Sequence, residues 1–533
     1  MARVARVTPL LTAAAVFLAI VAVPTPQPAG VFWDDGVYLA SARALAEGAG
    51  YRFAHLPDAP AAIHFPPLWP ALLSVVWRVF PAFPDNVAWL SLINPVLMAT
   101  AAGLACAFGV RRLGLPSLLA APVAVLFSLT LPVIVLTTVL FAEPLALVLA
   151  IAALWAVERA ADRGAPGVPA TPGSAARVAA GLGAVVFAGV AIGLEMLTRS
   201  TMLVLVPAAV FALVLARQVR AAVIVGVIGL GFAIAWQAWQ ATHAAELAAP
   251  LQGNYGGYLS WYLTAVGERG SAFVAEVARQ NVVALERTLA VVFFPGGLRP
   301  VRPLLVVLLA VVFAVGCWRC WGRSRALVAF LGLYLVLVLA WPYAPDRFVW
   351  GVWPLIGIVF ACGVFAIFEV SRDTAQPRGA RVAAATLLVV ATGAAVGLGS
   401  YSARGVGRGW VDIAQRRNAE RLAPTVAWVL ANTPANAVVA TDGEPLVYLY
   451  TGRRVVPVHI LSPVEYVSRP RLDEVEADLM ALITAGQATH LVLSGGSPEL
   501  RAARRLEASG RSHRLSPLGT LPGGGAAWRI GSP

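Results

Sequence analysis

Two carboxylates stand side by side in Trp33-Asp34-Asp35-Gly36-Val37-Tyr38, just after the first hydrophobic segment. An uncompensated charge near hydrocarbon costs about 2.5–3.5 kcal/mol at a helix centre, so acids placed at a membrane boundary are functional candidates. Paired carboxylates can accept a proton from a hydroxyl nucleophile, stabilise a developing cation, or offer oxygen ligands to Mg2+ or Mn2+. Their structural alternative is to keep a loop at the water surface.

Other ionisable residues sit in short turns between apolar runs. Glu143, in Phe141-Ala142-Glu143-Pro144, opens a helix, where an acid also favours the helix dipole. Glu195 and Arg199 are four apart and would pair on one helix face. Asp346-Arg347 lies in Tyr343-Ala344-Pro345-Asp346-Arg347-Phe348, and His64 precedes Phe65-Pro66-Pro67-Leu68-Trp69. Arginines in such turns suit a phosphate. Cys317-Trp318-Arg319-Cys320 is a lone CxxC with no second ligand pair and no thioredoxin-like context.

The elements that must position these groups are membrane helices. The 533 residues are 59% hydrophobic and 13% charged, with a mean hydropathy of +0.76; soluble proteins carry about 25% charged residues. Apolar runs of membrane-spanning length recur along the chain. They predict about eleven transmembrane helices, near 9–23, 86–110, 117–136, 138–157, 178–197, 201–217, 220–240, 303–318, 325–342, 348–369 and 381–401. Segment 272–298 either crosses or lies at the interface. The net charge of +13 is entirely arginine over acid, since the chain has no lysine. These arginines do not form a nucleic-acid patch. They punctuate alternate turns: Arg3/Arg6, Arg111/Arg112, Arg159/Arg163/Arg177, Arg217/Arg220, Arg319/Arg323/Arg325 and Arg372/Arg378/Arg381. The positive-inside rule then places the N-terminus in the cytoplasm and Asp34 outside.

After residue 404 polar residues become frequent and short elements alternate. Strands are expected at 437–441, 453–458 and 490–494, and helices at 419–432, 445–450, 471–485 and 498–509. This is a small α/β domain. The expected organisation is a transmembrane body over 1–404, with its first outer loop at 31–85, and an extracytoplasmic α/β domain over 405–533. A second outer segment holds Gly253-Asn254-Tyr255-Gly256-Gly257-Tyr258 and Trp261-Tyr262, open to interfacial anchoring or to substrate contact.

The order Asp34-Asp35-Gly36-Val37-Tyr38, Ala42, Ala44-Leu45-Ala46-Glu47-Gly48, Gly50-Tyr51 and Pro66-Pro67-Leu68-Trp69 resembles the first outer loop of GT-C membrane glycosyltransferases. The likeness is to the family-39-like group of protein mannosyltransferases and lipid A aminoarabinose transferases. The resemblance implies an all-α polytopic fold and an enzyme of the cell (inner or plasma) membrane. Such an enzyme moves a sugar from a polyprenyl-phosphate donor to a glycan, lipid or protein acceptor outside the cytoplasm. It implies Asp34 as the essential acid and Asp35 as its partner or a metal ligand. Glu143 falls at the family's second acidic site, a third ligand if Mg2+ or Mn2+ is used. Arg199, Arg347, His64 and Tyr38 then contact the donor, with Arg302 in reserve. Where the aminoarabinose branch has basic residues, this chain has Val37 and Phe65.

A transporter or flippase is the main rival, but it predicts duplicated halves and midplane polar residues. Here the acids gather at helix ends. A non-catalytic scaffold leaves the acid pair unexplained.

Overall fold

The computed structural model describes residues 2–23, 28–162, 175–296, 299–509 and 514–531. Arg163 lies outside the described residues, as do the side chains of Arg3, Arg6 and Arg177. The chain divides into two compact units. One comprises Met1–Pro24, Leu92–Ala235 and Ala278–Val411. The other gathers Thr25–Ser91, Trp236–Val277 and Asp412–Pro533.

The first unit is helical and apolar, and each expected crossing falls on a helix or a broken helix. By length and composition, six helices suffice to cross a membrane: Val87–Arg111, Glu143–Asp162, Val219–Glu246, Arg299–Trp321, Trp353–Arg372 and Arg378–Gly407. A seventh is the pair Ser117–Ser128 and Leu131–Thr138, bent by 61°. The break has a local cause. Thr130 is extended, and Pro132 has no N–H to continue the ladder from the preceding turn. Val7–Val21, Gly181–Met196, Ser200–Leu215 and Arg325–Ala340 are shorter apolar helices. The protein is a polytopic membrane protein. Segment 272–298 forms the helix Ser271–Phe293, which carries Glu276, Arg279, Glu286 and Arg287 and is not among the apolar spans.

Close helix packing in this unit depends on small residues. A Cβ on Gly316 would collide with the Val359 carbonyl, and one on Gly363 with the Val312 carbonyl. The helices Arg302–Trp321 and Trp353–Arg372 therefore meet backbone to backbone, as apolar helices do where small residues permit.

The second unit holds a five-stranded sheet: β1 (Val438–Thr441), β2 (Arg454–Val456), β3 (His490–Leu493), β4 (Leu515–Thr520) and β5 (Ala526–Ile530). Their order is β2-β1-β3-β5-β4. β1 runs parallel to both β2 and β3, while β5 is antiparallel to β3 and β4. The first three strands and the helices between them follow the sequence reading; the β4–β5 hairpin does not appear in it. Its anchor is Trp528, opposite Leu491 in register and 1% exposed. The Trp528 indole donates to Glu507 at 2.8 Å.

The two earlier segments of this unit pack with the C-terminal residues. Helix Trp33–Ala46 lies against helix Glu444–Thr451, where Gly36 leaves only room for Pro445: a Cβ there would stand 2.5 Å from the proline Cβ.

Candidate active site

The acid pair occupies the first turn of helix Trp33–Ala46, and its two members have different surroundings. Asp35 is buried, 1% exposed. Its Oδ2 accepts the Gly30 N–H at 2.8 Å, and its Oδ1 accepts its neighbour Gly36 N–H at 3.0 Å. Burial pushes its carboxyl up to about 7, with the Asp34 charge adding and the backbone donors opposing. Asp34 is half-buried. Asp35 therefore ties down the loop, and Asp34 is the more exposed member of the pair. Each Asp35 oxygen thus accepts one backbone N–H. Among the described residues no three His, Cys, Asp or Glu side chains cluster as metal ligands.

His64 lies beside this turn, T-shaped against Trp33 at 5.4 Å between ring centroids. Its Nδ1 is 2.8 Å from the Gly256 carbonyl. A carbonyl only accepts, so Nδ1 bears the proton and Nε2 the lone pair. Burial lowers His64 to about 4, although the Asp34 charge pulls it partly upward. A neutral ring with this tautomer gives no positive charge to oppose a phosphate, which weighs against His64 as the stand-in basic residue.

The loop before His64 is held by the second segment of the unit. Trp239 donates to the Ala62 carbonyl at 3.0 Å, Gln240 to Ile63 at 2.7 Å, and the Ala61 N–H to Glu246 at 2.9 Å. Tyr51 donates to the Phe65 carbonyl at 2.8 Å. Tyr38 is 3% exposed, its ring 4.5 Å from that of Phe65, so it packs the Pro-Pro turn against the acid-pair helix.

Beneath the acid pair is a polar cluster with no counterpart in the sequence reading. Glu444, 5% exposed, accepts the Trp33 indole N–H at 2.7 Å and the Tyr255 hydroxyl at 3.2 Å. His55 Nε2 lies 2.9 Å from that same hydroxyl, and burial lowers this imidazole to about 3. Since Tyr255 gives its proton to Glu444, neutral His55 donates from Nε2 to the phenol oxygen. Burial lifts the Glu444 carboxyl to about 7. The available signal was Glu444-Pro445 directly after β1, a helix start with an acid in its first turn.

The first unit holds the second candidate group. Glu143 opens helix Glu143–Asp162 and is 2% exposed. Its Oε1 receives Arg199 at 2.6 Å and Arg347 at 2.7 Å. Two asparagines build the turns that bring these residues together. Asn94 donates to the Val139 and Phe141 carbonyls, at 2.7 and 3.0 Å, just before Glu143. Asn281 donates to the Val338, Leu339 and Trp341 carbonyls where helix Arg325–Ala340 ends, ahead of Arg347. The Arg347 guanidinium also lies 3.9 Å over the Phe141 ring.

The expected i,i+4 relation between Glu195 and Arg199 lapses. The helix stops at Met196, and Arg199 is extended at φ −146°, ψ 120°, which sends its side chain to Glu143. Glu195 is fully buried, and neither of its oxygens accepts a hydrogen bond. Arg302 donates to the Gly296 carbonyl at 2.6 Å. The structure thus groups Asp34, Asp35, Tyr38 and His64 in one unit, and Glu143, Arg199 and Arg347 in the other.

No protein-family model matches the sequence, and no curated protein matches it. Solved structures do match. The oligosaccharyltransferase AglB from Archaeoglobus fulgidus, in complex with an inhibitory peptide and a dolichol-phosphate, superposes with a TM-score of 0.54 at 12% identity, over 92% of this chain and 69% of that one. The apo form of an oligosaccharyltransferase from the same organism gives 0.54 at 13% identity, over 98% and 74%. ArnT from Cupriavidus metallidurans bound to undecaprenyl phosphate gives 0.52 at 14% identity, over 98% of this chain and 97% of that one. At these identities the likeness is one of fold: this chain shares the fold of the oligosaccharyltransferase and ArnT structures.

Proposed function

We propose that the chain is an integral membrane glycosyltransferase that moves a sugar from a polyprenyl-phosphate-linked donor to an acceptor on the extracytoplasmic side of the cell membrane. The solved structures of similar fold were bound to dolichol-phosphate and to undecaprenyl phosphate, which supports a donor of that class. The observation that carries the reading is the difference within the acid pair: Asp35 is buried and accepts two backbone N–H groups, whereas Asp34, beside it in the same helix turn, is half-buried.

In the proposed step the acceptor hydroxyl attacks the anomeric carbon and gives its proton to Asp34. The bond from that carbon to the phosphate oxygen breaks, and its electron pair leaves with the phosphate. Charge builds on the sugar as an oxocarbenium-like state, which a nearby carboxylate stabilises. The leaving phosphate is already a stable anion, and arginine donors favour it further. Within the first unit, Arg199 and Arg347 are assigned phosphate binding because both guanidiniums converge on one oxygen, that of Glu143. The proposed topology has the N-terminus in the cytoplasm and residues 405–533 outside.

The test is the lipid extract of a deletion strain. A polyprenyl-phosphate sugar should accumulate, and a plasmid copy of the wild type, but not of Asp34→Asn, should clear it. An unchanged lipid-linked sugar pool would overturn the reading, as would clearance by the Asn variant.

A further inference from the structure

The acid-pair helix begins at Trp33, one residue before Asp34, and the Trp33 side chain is fastened from the C-terminal segment of the same unit. The fastening point is Glu444. Its Oε1 accepts the Trp33 indole N–H at 2.7 Å and the Tyr255 hydroxyl at 3.2 Å, so one oxygen joins the first loop to the second segment. The Trp33 ring is closed in by Tyr255 at 5.2 Å, His64 at 5.4 Å and Phe65 at 5.8 Å. Directly after Glu444, Pro445 fills the gap over Gly36, and Leu449 fills that over Gly30, whose N–H is held by Asp35. Trp33, Gly36 and Gly30, on either side of Asp34, therefore each meet helix Glu444–Thr451.

We propose that Glu444 is a positioning residue for the transfer step, fixing through Trp33 the setting of the helix turn that presents Asp34. The inference rests on the reading of Asp34 as the proton acceptor. Glu444 touches no reacting atom in this account; it acts through the indole. The α/β segment is thus part of the machinery that orders the acid-pair loop. Its helix Glu444–Thr451 has the form such a task needs. Pro445 starts it within the first turn, and Gly452, at φ 71°, ends it in the left-handed conformation.

Two substitutions separate positioning from charge. Glutamine keeps an acceptor oxygen for both the indole and the phenol, whereas alanine leaves two buried donors without one. The assay is turnover by the full-length protein in vesicles, using the donor lipid fraction extracted from a deletion strain. Glu444→Ala should lower kcat about 10- to 100-fold, the range expected when a reacting group shifts by a fraction of an ångström to about one. Donor KM should be unchanged, and Glu444→Gln should restore most of the rate. Wild-type kcat in Glu444→Ala would overturn the proposal, as would an equal loss in both variants. Should Glu444→Ala not fold, Trp33→Phe keeps an aromatic ring and deletes the N–H. A folded Trp33→Phe with wild-type kcat overturns the proposal equally, and a lowered kcat at unchanged KM supports it. Asp34→Asn in the same assay separates the two levels. If it is inactive while Glu444→Ala is normal, only the positioning role fails; if it turns over normally, the reading of Asp34 fails.

Discussion

Glu143 and Glu444 both open helices as Glu-Pro, and both are almost fully buried, yet they are satisfied in opposite ways. Glu143 meets two guanidiniums on one oxygen; Glu444 meets an indole and a phenol, both neutral. The same dipeptide thus makes an ion cluster in the membrane unit and a neutral hydrogen-bond clamp in the other. An ion cluster that binds one anion is a place where another anion can be bound. A carboxyl held by neutral donors fixes geometry without a cation. What separates them is the partner each turn delivers, not the helix start itself.

The largest expected effect comes from making the same change at both. Glu143→Gln leaves two arginines around a neutral group, and breaking a buried ion pair from one side costs about 3–5 kcal/mol. Glu444→Gln keeps an acceptor and should cost at most about 1 kcal/mol, the scale of one neutral hydrogen bond. Denaturation midpoints of the two variants in detergent check this, and equal losses would erase the distinction.

A smaller effect is expected on the donor side. Arg199→Ala and Arg347→Ala each remove a charge-assisted contact worth about 1.5–3 kcal/mol, so donor affinity should fall about tenfold or more. Glu444→Gln should leave donor affinity alone. Titration with a polyprenyl phosphate reads both. Unchanged affinity in both arginine variants would move the phosphate site elsewhere.

A further expected effect is in pH dependence, and it belongs to the second unit. Burial lifts Asp35 from 3.8 and Glu444 from 4.5, each to about 7. The folded state then keeps protons that the unfolded chain releases. Stability from these groups is complete below about pH 4, falls as pH rises through about 7, and is level above. Asp35→Asn and Glu444→Gln should each flatten that slope in thermal unfolding between pH 5 and 8. A slope as steep in the double variant would assign it to other groups.

Much of the scaffold was legible because membrane helices write their length and apolarity into sequence. The C-terminal strands β1 to β3 were legible as short apolar runs between helices. The β4–β5 hairpin was not, because Leu515–Thr520 contains Pro517 and Gly519 and is largely exposed beyond Leu515, so no alternation marks it. Asp34 and Asp35 were visible as a pair, but their unequal burial depends on Gly30 and Pro445, which no local pattern connects. Glu143, Arg199 and Arg347 were each visible in a turn, whereas their convergence depends on Asn94 and Asn281 closing turns far away in sequence. Arg199 looked like a partner for Glu195 because helical spacing was carried one turn past the helix end. Glu444 escaped notice because it looks ordinary alone, an acid in a helix first turn; Tyr255 was visible in its outer segment, but its link to Glu444 was not.

The central claim is that Asp34, the half-buried member of the pair, does the chemistry. Asp34→Asn keeps size and hydrogen bonding and removes only the charge. Its kcat for lipid-linked sugar turnover, measured in folded protein that still binds a polyprenyl phosphate, is the direct test. The expected result is a fall of about 10²- to 10⁴-fold, the usual cost of losing a general base. Turnover near the wild-type rate would contradict it.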